Sequence, residues 1–143
     1  MTDGNRRDPE FVSKYGPWVL VSGASEGTGA EMATLAAAKG CNVVLVARRT
    51  EKLEELARTL REAFGVEVRT RTLDLTQPDA AQALQACADG LDLGLVIFNA
   101  GGDSVGGRFL DSSYEQWRPL LQRNIDMLTE ACHRFATALV ARG

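Results

Sequence analysis

The chain has 143 residues, 45% of them hydrophobic and 24% charged, with a formal net charge of −3. That length suits one domain with a substantial core and is too short for two ordinary ones. The mildly acidic balance gives no electrostatic reason to expect nucleic acid or a membrane as partner, and no apolar stretch reaches the roughly 18 residues of a membrane span.

Residues 1–16 read as a flexible polar leader with no apolar signal-peptide core, and residues 17–143 as the folded domain. Trp18-Val19-Leu20-Val21 is a short apolar strand. It runs into Ser22-Gly23-Ala24-Ser25-Glu26-Gly27-Thr28-Gly29, and an alanine-rich helix follows to about Lys39. A strand, a glycine turn and a helix start make a phosphate-binding corner. Glycine lets the backbone adopt positive φ and approach a ligand, and the free N–H groups of the first helical turn face an anion. The spacing is G-x-x-x-G-x-G, not the G-x-G-x-x-G of the general dinucleotide fingerprint.

Gly40 is placed to end the first helix, and Val43-Val44-Leu45-Val46-Ala47 reads as a buried parallel strand. Glu51 to Phe64 carries Leu53, Leu56, Leu60 and Phe64 on one helical face, with Glu54–Arg58 and Arg58–Glu62 as i,i+4 pairs on the other. Between Val66 and Leu73, apolar and threonine residues alternate with Glu67, Arg69 and Arg71, which suits a sheet edge. Thr76 with Asp79 resembles a capping box for a third helix stopping at Gly90. Leu93 to Phe98 is another buried strand, then a loop from Asn99 to Gly107. Ser113 with Gln116 caps a last helix reaching about Ala141, with Pro119 as a kink point.

Strands alternating with helices predict an α/β fold with a doubly wound parallel (Rossmann-type) sheet, strand order 3-2-1-4. The charged third strand then lies at one edge and the apolar Leu93–Phe98 strand at the other. A bare apolar edge is usually covered, so the sheet reads as incomplete, lacking its next strand. Cys41, Cys87 and Cys132 are widely spaced, with no C-x-x-C pair. They read as buried free thiols of a reducing compartment, the cytoplasm. His133 beside Cys132 reads as structural, Ser25 and Ser104 have no base at readable distance, and no metal-ligand spacing is present.

Where dinucleotide folds place a ribose-binding carboxylate, roughly 20 residues after the glycines, this chain has Ala47-Arg48-Arg49. A guanidinium donates two parallel hydrogen bonds to a phosphate. The pair therefore favours NADP(H), with its 2′-phosphate, over NAD(H), while Glu26 in the glycine loop counts against a nearby phosphate.

The set Ser22 to Gly29, then Asp74-Leu75-Thr76, then Asn99-Ala100-Gly101 resembles the short-chain dehydrogenase/reductase family. These stand for its T-G-x-x-x-G-x-G, its acidic residue after the third strand, and its N-N-A-G, in which Phe98 replaces the first asparagine. The resemblance implies that Gly23, Ser25, Glu26, Gly27, Thr28 and Gly29 border the pyrophosphate, and Asp74 and Leu75 the adenine. It further implies that Asn99, Ala100 and Gly101 flank the ribose, that Arg48 is the NADP-selecting base, and that Asn124 supports a water-linked proton relay. The family's serine and Tyr-x-x-x-Lys fall beyond the last helix and are absent from this chain. Tyr114 with Arg118 mimics the motif only superficially. The expected whole is an oxidoreductase moving hydride between nicotinamide and a small-molecule carbonyl or alcohol, of which this chain is an inactive cofactor-binding portion. The alternative is a naturally short nucleotide-sensing or protein-binding module. A homo-oligomer could form through the last helix or the bare sheet edge.

Overall fold

A computed structural model describes residues 7–102 and 105–143. The first six residues of the expected leader, and Ser104, lie outside the described residues. In chain order the elements are α1 (Pro9–Tyr15), β1 (Trp18–Ser22), α2 (Gly27–Ala38), β2 (Asn42–Ala47), α3 (Thr50–Phe64), β3 (Val68–Thr72), α4 (Ala80–Ala86) and β4 (Leu93–Phe98). A 3₁₀ turn (Phe109–Asp111), α5 (Tyr114–Leu121), a π-helical turn (Gln122–Asp126) and α6 (Met127–Arg142) follow.

The four strands are parallel and ordered β3-β2-β1-β4, an α/β doubly wound sheet. Alternation along each strand divides the core into two layers. Val19, Val21, Val43 and Leu45 face α2 and α3 and meet Ala33, Ala37, Leu53, Ala57 and Leu60. Leu20, Val44 and Val46 face the other way, toward Leu84 of α4 and Met127, Ala131 and Phe135 of α6. The central strands β1 and β2 are buried on both faces, which explains their uninterrupted apolar sequence. The small side chains of α2 let it lie close to the sheet.

At the outer edge β3 exposes Arg69, Arg71 and Thr72 while burying Val68. All six residues of β4 are half-buried at the opposite edge. Gly40 (φ +100°) and Gly65 (φ +63°) end their helices in the left-handed region. The capping box of α5 is formed, the Ser113 N–H donating to Gln116 Oε1 at 2.8 Å.

Several sequence expectations are corrected. Part of the leader is helical: α1 is capped by the Asp8 carboxylate, which accepts from the Phe11 N–H at 3.0 Å, and Phe11 and Val12 pack on the core. Lys39 binds Asp8 at 3.1 Å, and Arg142 of α6 donates to Asp92 at 2.7 Å and to the Gly16 carbonyl, so both ends of the segment are held. The third helix is shorter than expected, and its Asp79 N-cap makes no side-chain cap bond. On α3, Arg58 approaches Glu62 at 3.9 Å, but Glu54 instead accepts from the Thr70 hydroxyl across to β3. Cys132 and His133 are exposed, since both lie off the buried face of α6; Cys41 and Cys87 are buried, and desolvation raises both thiols above their ordinary pKa. Downstream of Pro119, five residues form the π turn between α5 and α6. The buried stripe is accordingly Leu120, Arg123, Met127, Ala131 and Phe135, whereas Leu121 is exposed.

Candidate nucleotide site

Because the strands are parallel, the carboxyl ends of β1, β2 and β4 meet at one side of the sheet. Ser22 stands opposite Val46 and Phe98 there. The N–H groups of Gly23 and Ala24 both donate to the Val46 carbonyl, at 2.8 and 3.2 Å. The Asn99 N–H donates to the Ser22 carbonyl at 3.0 Å, and its side-chain amide to the Gly23 carbonyl at 3.3 Å. The glycine loop and the Asn99-Ala100-Gly101 turn are thus stitched together over the end of β1.

Two glycines are demanded by this closeness. Gly23 has φ +76°, and a Cβ there would lie 2.5 Å from the Ala100 nitrogen. A Cβ on Gly29 would strike the Gly23 carbonyl oxygen and sit 2.7 Å from the Asn99 amide nitrogen. Gly27 differs: it has φ +57°, but nothing lies within 4 Å of its added Cβ. The loop is packed on its inner side and open on its outer side.

Below the loop is a cleft of about 440 Å³. Of the residues anticipated from the sequence, Gly23, Ser25, Glu26, Arg48, Asp74, Leu75, Asn99, Ala100 and Gly101 line it. Gly27, Thr28 and Gly29 form the first turn of α2, which holds no acidic residue to satisfy its N–H groups. Asn124 is not on the cleft wall; its amide approaches the Gly102 carbonyl at 3.4 Å. The wall also includes Ala47, Leu73, Arg49 and Arg123.

The charges are arranged in a definite way. Glu26 is paired with Arg49, whose other contact is the Ser25 hydroxyl at 3.3 Å. Glu26, the N-cap residue of α2, makes no side-chain bond to the N–H groups of the helix. Arg48 is exposed and has no ion pair among the described residues. Asp74 accepts from the Thr76 N–H at 3.0 Å and its hydroxyl at 2.8 Å. These two bonds, with a smaller contribution from the Arg48 charge, hold its carboxyl below the ordinary carboxylate range. The acceptor next to the cleft is thus ionised at neutral pH.

Arg123 was missed by sequence reasoning. It is 9% exposed, and one guanidinium nitrogen donates to the Gly102 carbonyl at 2.7 Å. Its Nε is buried without a hydrogen-bond partner. The signal was its spacing: three residues after Leu120 and four before Met127, it falls on the buried stripe. Taken together, a first helical turn without acidic residues, an N-cap Glu26 paired with Arg49, guanidinium groups on the wall and a partnerless buried N–H fit an anionic dinucleotide. No group of three or more His, Cys, Asp or Glu side chains converges among the described residues.

Comparison with known proteins agrees with this architecture. Residues 17–143 match the family described as short chain dehydrogenase. A 7beta-hydroxysteroid dehydrogenase of Collinsella aerofaciens is 36% identical over 129 residues, 90% of this chain and 49% of the relative. A very-long-chain 3-oxoacyl-CoA reductase of Podospora anserina is 36% identical over 115 residues, 78% of this chain and 34% of the relative. Among solved structures, a short-chain dehydrogenase from Sphingobium yanoikuyae in complex with NADPH superposes with a TM-score of 0.76. It is 36% identical, over 88% of this chain and 48% of that one. A structure concerned with 7beta-hydroxysteroid dehydrogenase stereoselectivity reaches a TM-score of 0.87 at 36% identity, over 92% of this chain and 52% of that one. The chain spans about half the length of these hydroxysteroid dehydrogenase relatives. By its fold, its glycine corner and this match over residues 17–143, the chain belongs to the short-chain dehydrogenase family.

Proposed function

We propose that this chain is the NADP(H)-binding portion of a short-chain oxidoreductase that moves hydride between nicotinamide and a small-molecule carbonyl or secondary alcohol. The observation that carries the cofactor choice is the end of β2. Two guanidinium groups, Arg48 and Arg49, border the cleft there, and no carboxylate occupies the place. The NADPH in the Sphingobium yanoikuyae relative supports the reading. In it Gly23, Ser25, Gly27, Thr28 and Gly29 hold the pyrophosphate, Arg48 the 2′-phosphate, Asp74 and Leu75 the adenine, and Asn99, Ala100 and Gly101 the ribose. Glu26 borders this site and keeps Arg49 engaged. Asn124 supports the proton relay of the complete enzyme. The cofactor supplies the hydride; a general acid for the carbonyl oxygen is not among these residues, and its loss costs about 10²- to 10⁴-fold in rate. The chain alone is therefore expected to bind cofactor without turnover. Its free cysteines suit a reducing compartment.

Calorimetric titration tests the assignment. NADPH is expected to bind more tightly than NADH, and Arg48→Ala to erase the difference. Equal affinities in the unaltered chain would remove Arg48 from the site. A second reading, a nucleotide-responsive binding module, is favoured by one observation, the half-buried β4 at the sheet edge. It predicts that nucleotide alters capture of a partner strand, read by hydrogen exchange at residues 93–98.

A further inference from the structure

We propose that Arg123 is a further cofactor-binding residue, whose guanidinium meets the negative charge of the pyrophosphate bridge that NAD(H) and NADP(H) share. The inference rests on the nucleotide-site reading above but not on the choice between the two cofactors. A guanidinium stays protonated at any pH a protein survives, so burial cannot be relieved by losing the proton. Arg123 is nevertheless nine-tenths buried, on the stripe that otherwise presents Leu120, Met127, Ala131 and Phe135. Its contact with protein is a neutral carbonyl, Gly102, at 2.7 Å. No carboxylate pairs with it among the described residues. Its Nε hydrogen is left without an acceptor, although a buried charge normally has its donors satisfied. The same residue lines the cleft with Gly23, Asn99 and Gly101, and belongs to a different element from Arg48 and Arg49, which follow β2.

A buried charge that no carboxylate of the described residues meets costs stability, and a bound anion would relieve that cost. The polarity is right. The first turn of α2 offers neutral N–H groups to the bridge, while Arg123 offers a full positive charge. The Gly102 bond holds the guanidinium at the Asn99–Gly102 turn, so binding need not first order a long side chain.

The closing experiment pairs Arg123→Met with Arg123→Lys and reads two quantities, dissociation constants and the unfolding midpoint without ligand. Arg123→Met is expected to weaken NADH and NADPH by the same factor, about tenfold or more, leaving their ratio unchanged. It should leave adenosine, which carries no phosphate, within about twofold, and should hold or raise the ligand-free midpoint. Arg123→Lys should recover part of the lost affinity. A purely structural arginine, or one neutralised by a carboxylate of the chain, gives the opposite: Arg123→Met lowers the midpoint and leaves both affinities within about twofold. That result, or an equal loss for adenosine, overturns the proposal. The NADP(H) reading fails separately, by equal affinity for NADH and NADPH in the unaltered chain, which leaves the shared factor measurable.

Discussion

Asp74 shows how a single carboxylate serves both a turn and a site. Its bonds from the Thr76 N–H and hydroxyl are worth having only while it is ionised. Because its pKa is lowered on folding, the stability it contributes is fully present above the ordinary carboxylate value of about 4. That contribution is lost as pH falls through the lower, folded value. Asp74→Ala, which removes both bonds, should therefore cost about 1 kcal/mol at pH 7, by analogy with other side-chain caps. Urea midpoints measured between pH 6 and 2 should bring variant and parent together at the acid end. At this scale the sequence was a good guide wherever a residue acts through local geometry. The Ser113–Gln116 box forms as its spacing predicts, and Asp74 and Asn99, implied by the family resemblance, line the cleft. It was a poor guide where side chains from distant elements decide: the Glu54–Thr70 bond and the Glu26–Arg49 pair cross between elements and leave no periodic trace.

At the scale of elements, the glycine loop, α2 and the end of β4 form one interlocked unit. The two helical glycines of the loop test this in contrasting ways. Gly29→Ala drives a methyl into the Gly23 carbonyl and the Asn99 amide, so α2 must move off the sheet. A loss of about 1–3 kcal/mol, the usual cost of overpacking, is expected in thermal unfolding, with nucleotide binding abolished. Gly27→Ala meets no atom within 4 Å and suffers only from φ +57°. About 1 kcal/mol is expected there, with binding reduced and not lost. Near-equal effects of the two would mean that the loop is not wedged as described. The motif spacing announced a close approach but not which glycine makes it. The last helix was legible in extent and not in facing. Helical spacing from Leu120 to Met127 passes through Arg123, but a stripe drawn from apolar residues alone selects Leu121, which is exposed, and passes over Arg123, which is buried.

For the molecule as a whole, sheet order was legible because the doubly wound arrangement implies 3-2-1-4, and this order places charged β3 at a rim and apolar β1 and β2 in the middle. Docking of α1 was not: a polar seven-residue helix with just Phe11 and Val12 turned inward reads as leader. The described residues hold no helix long and apolar enough to cross a membrane. The overall charge of −3 sets a weakly repulsive background for a polyanionic ligand, which the arginines at the cleft must locally reverse. Here the exposed pairing of Glu26 with Arg49 acts as a salt buffer. Added electrolyte weakens the pull of the arginines on a phosphate, but it weakens the internal competitor for Arg49 at the same time. The two losses partly cancel, so affinity for NADPH should fall with ionic strength less steeply than two free arginines imply. Glu26→Gln removes the competitor. It should bind NADPH more tightly at about 20 mM salt, lose that advantage by about 500 mM, and plot as the steeper of the two lines against the logarithm of salt concentration.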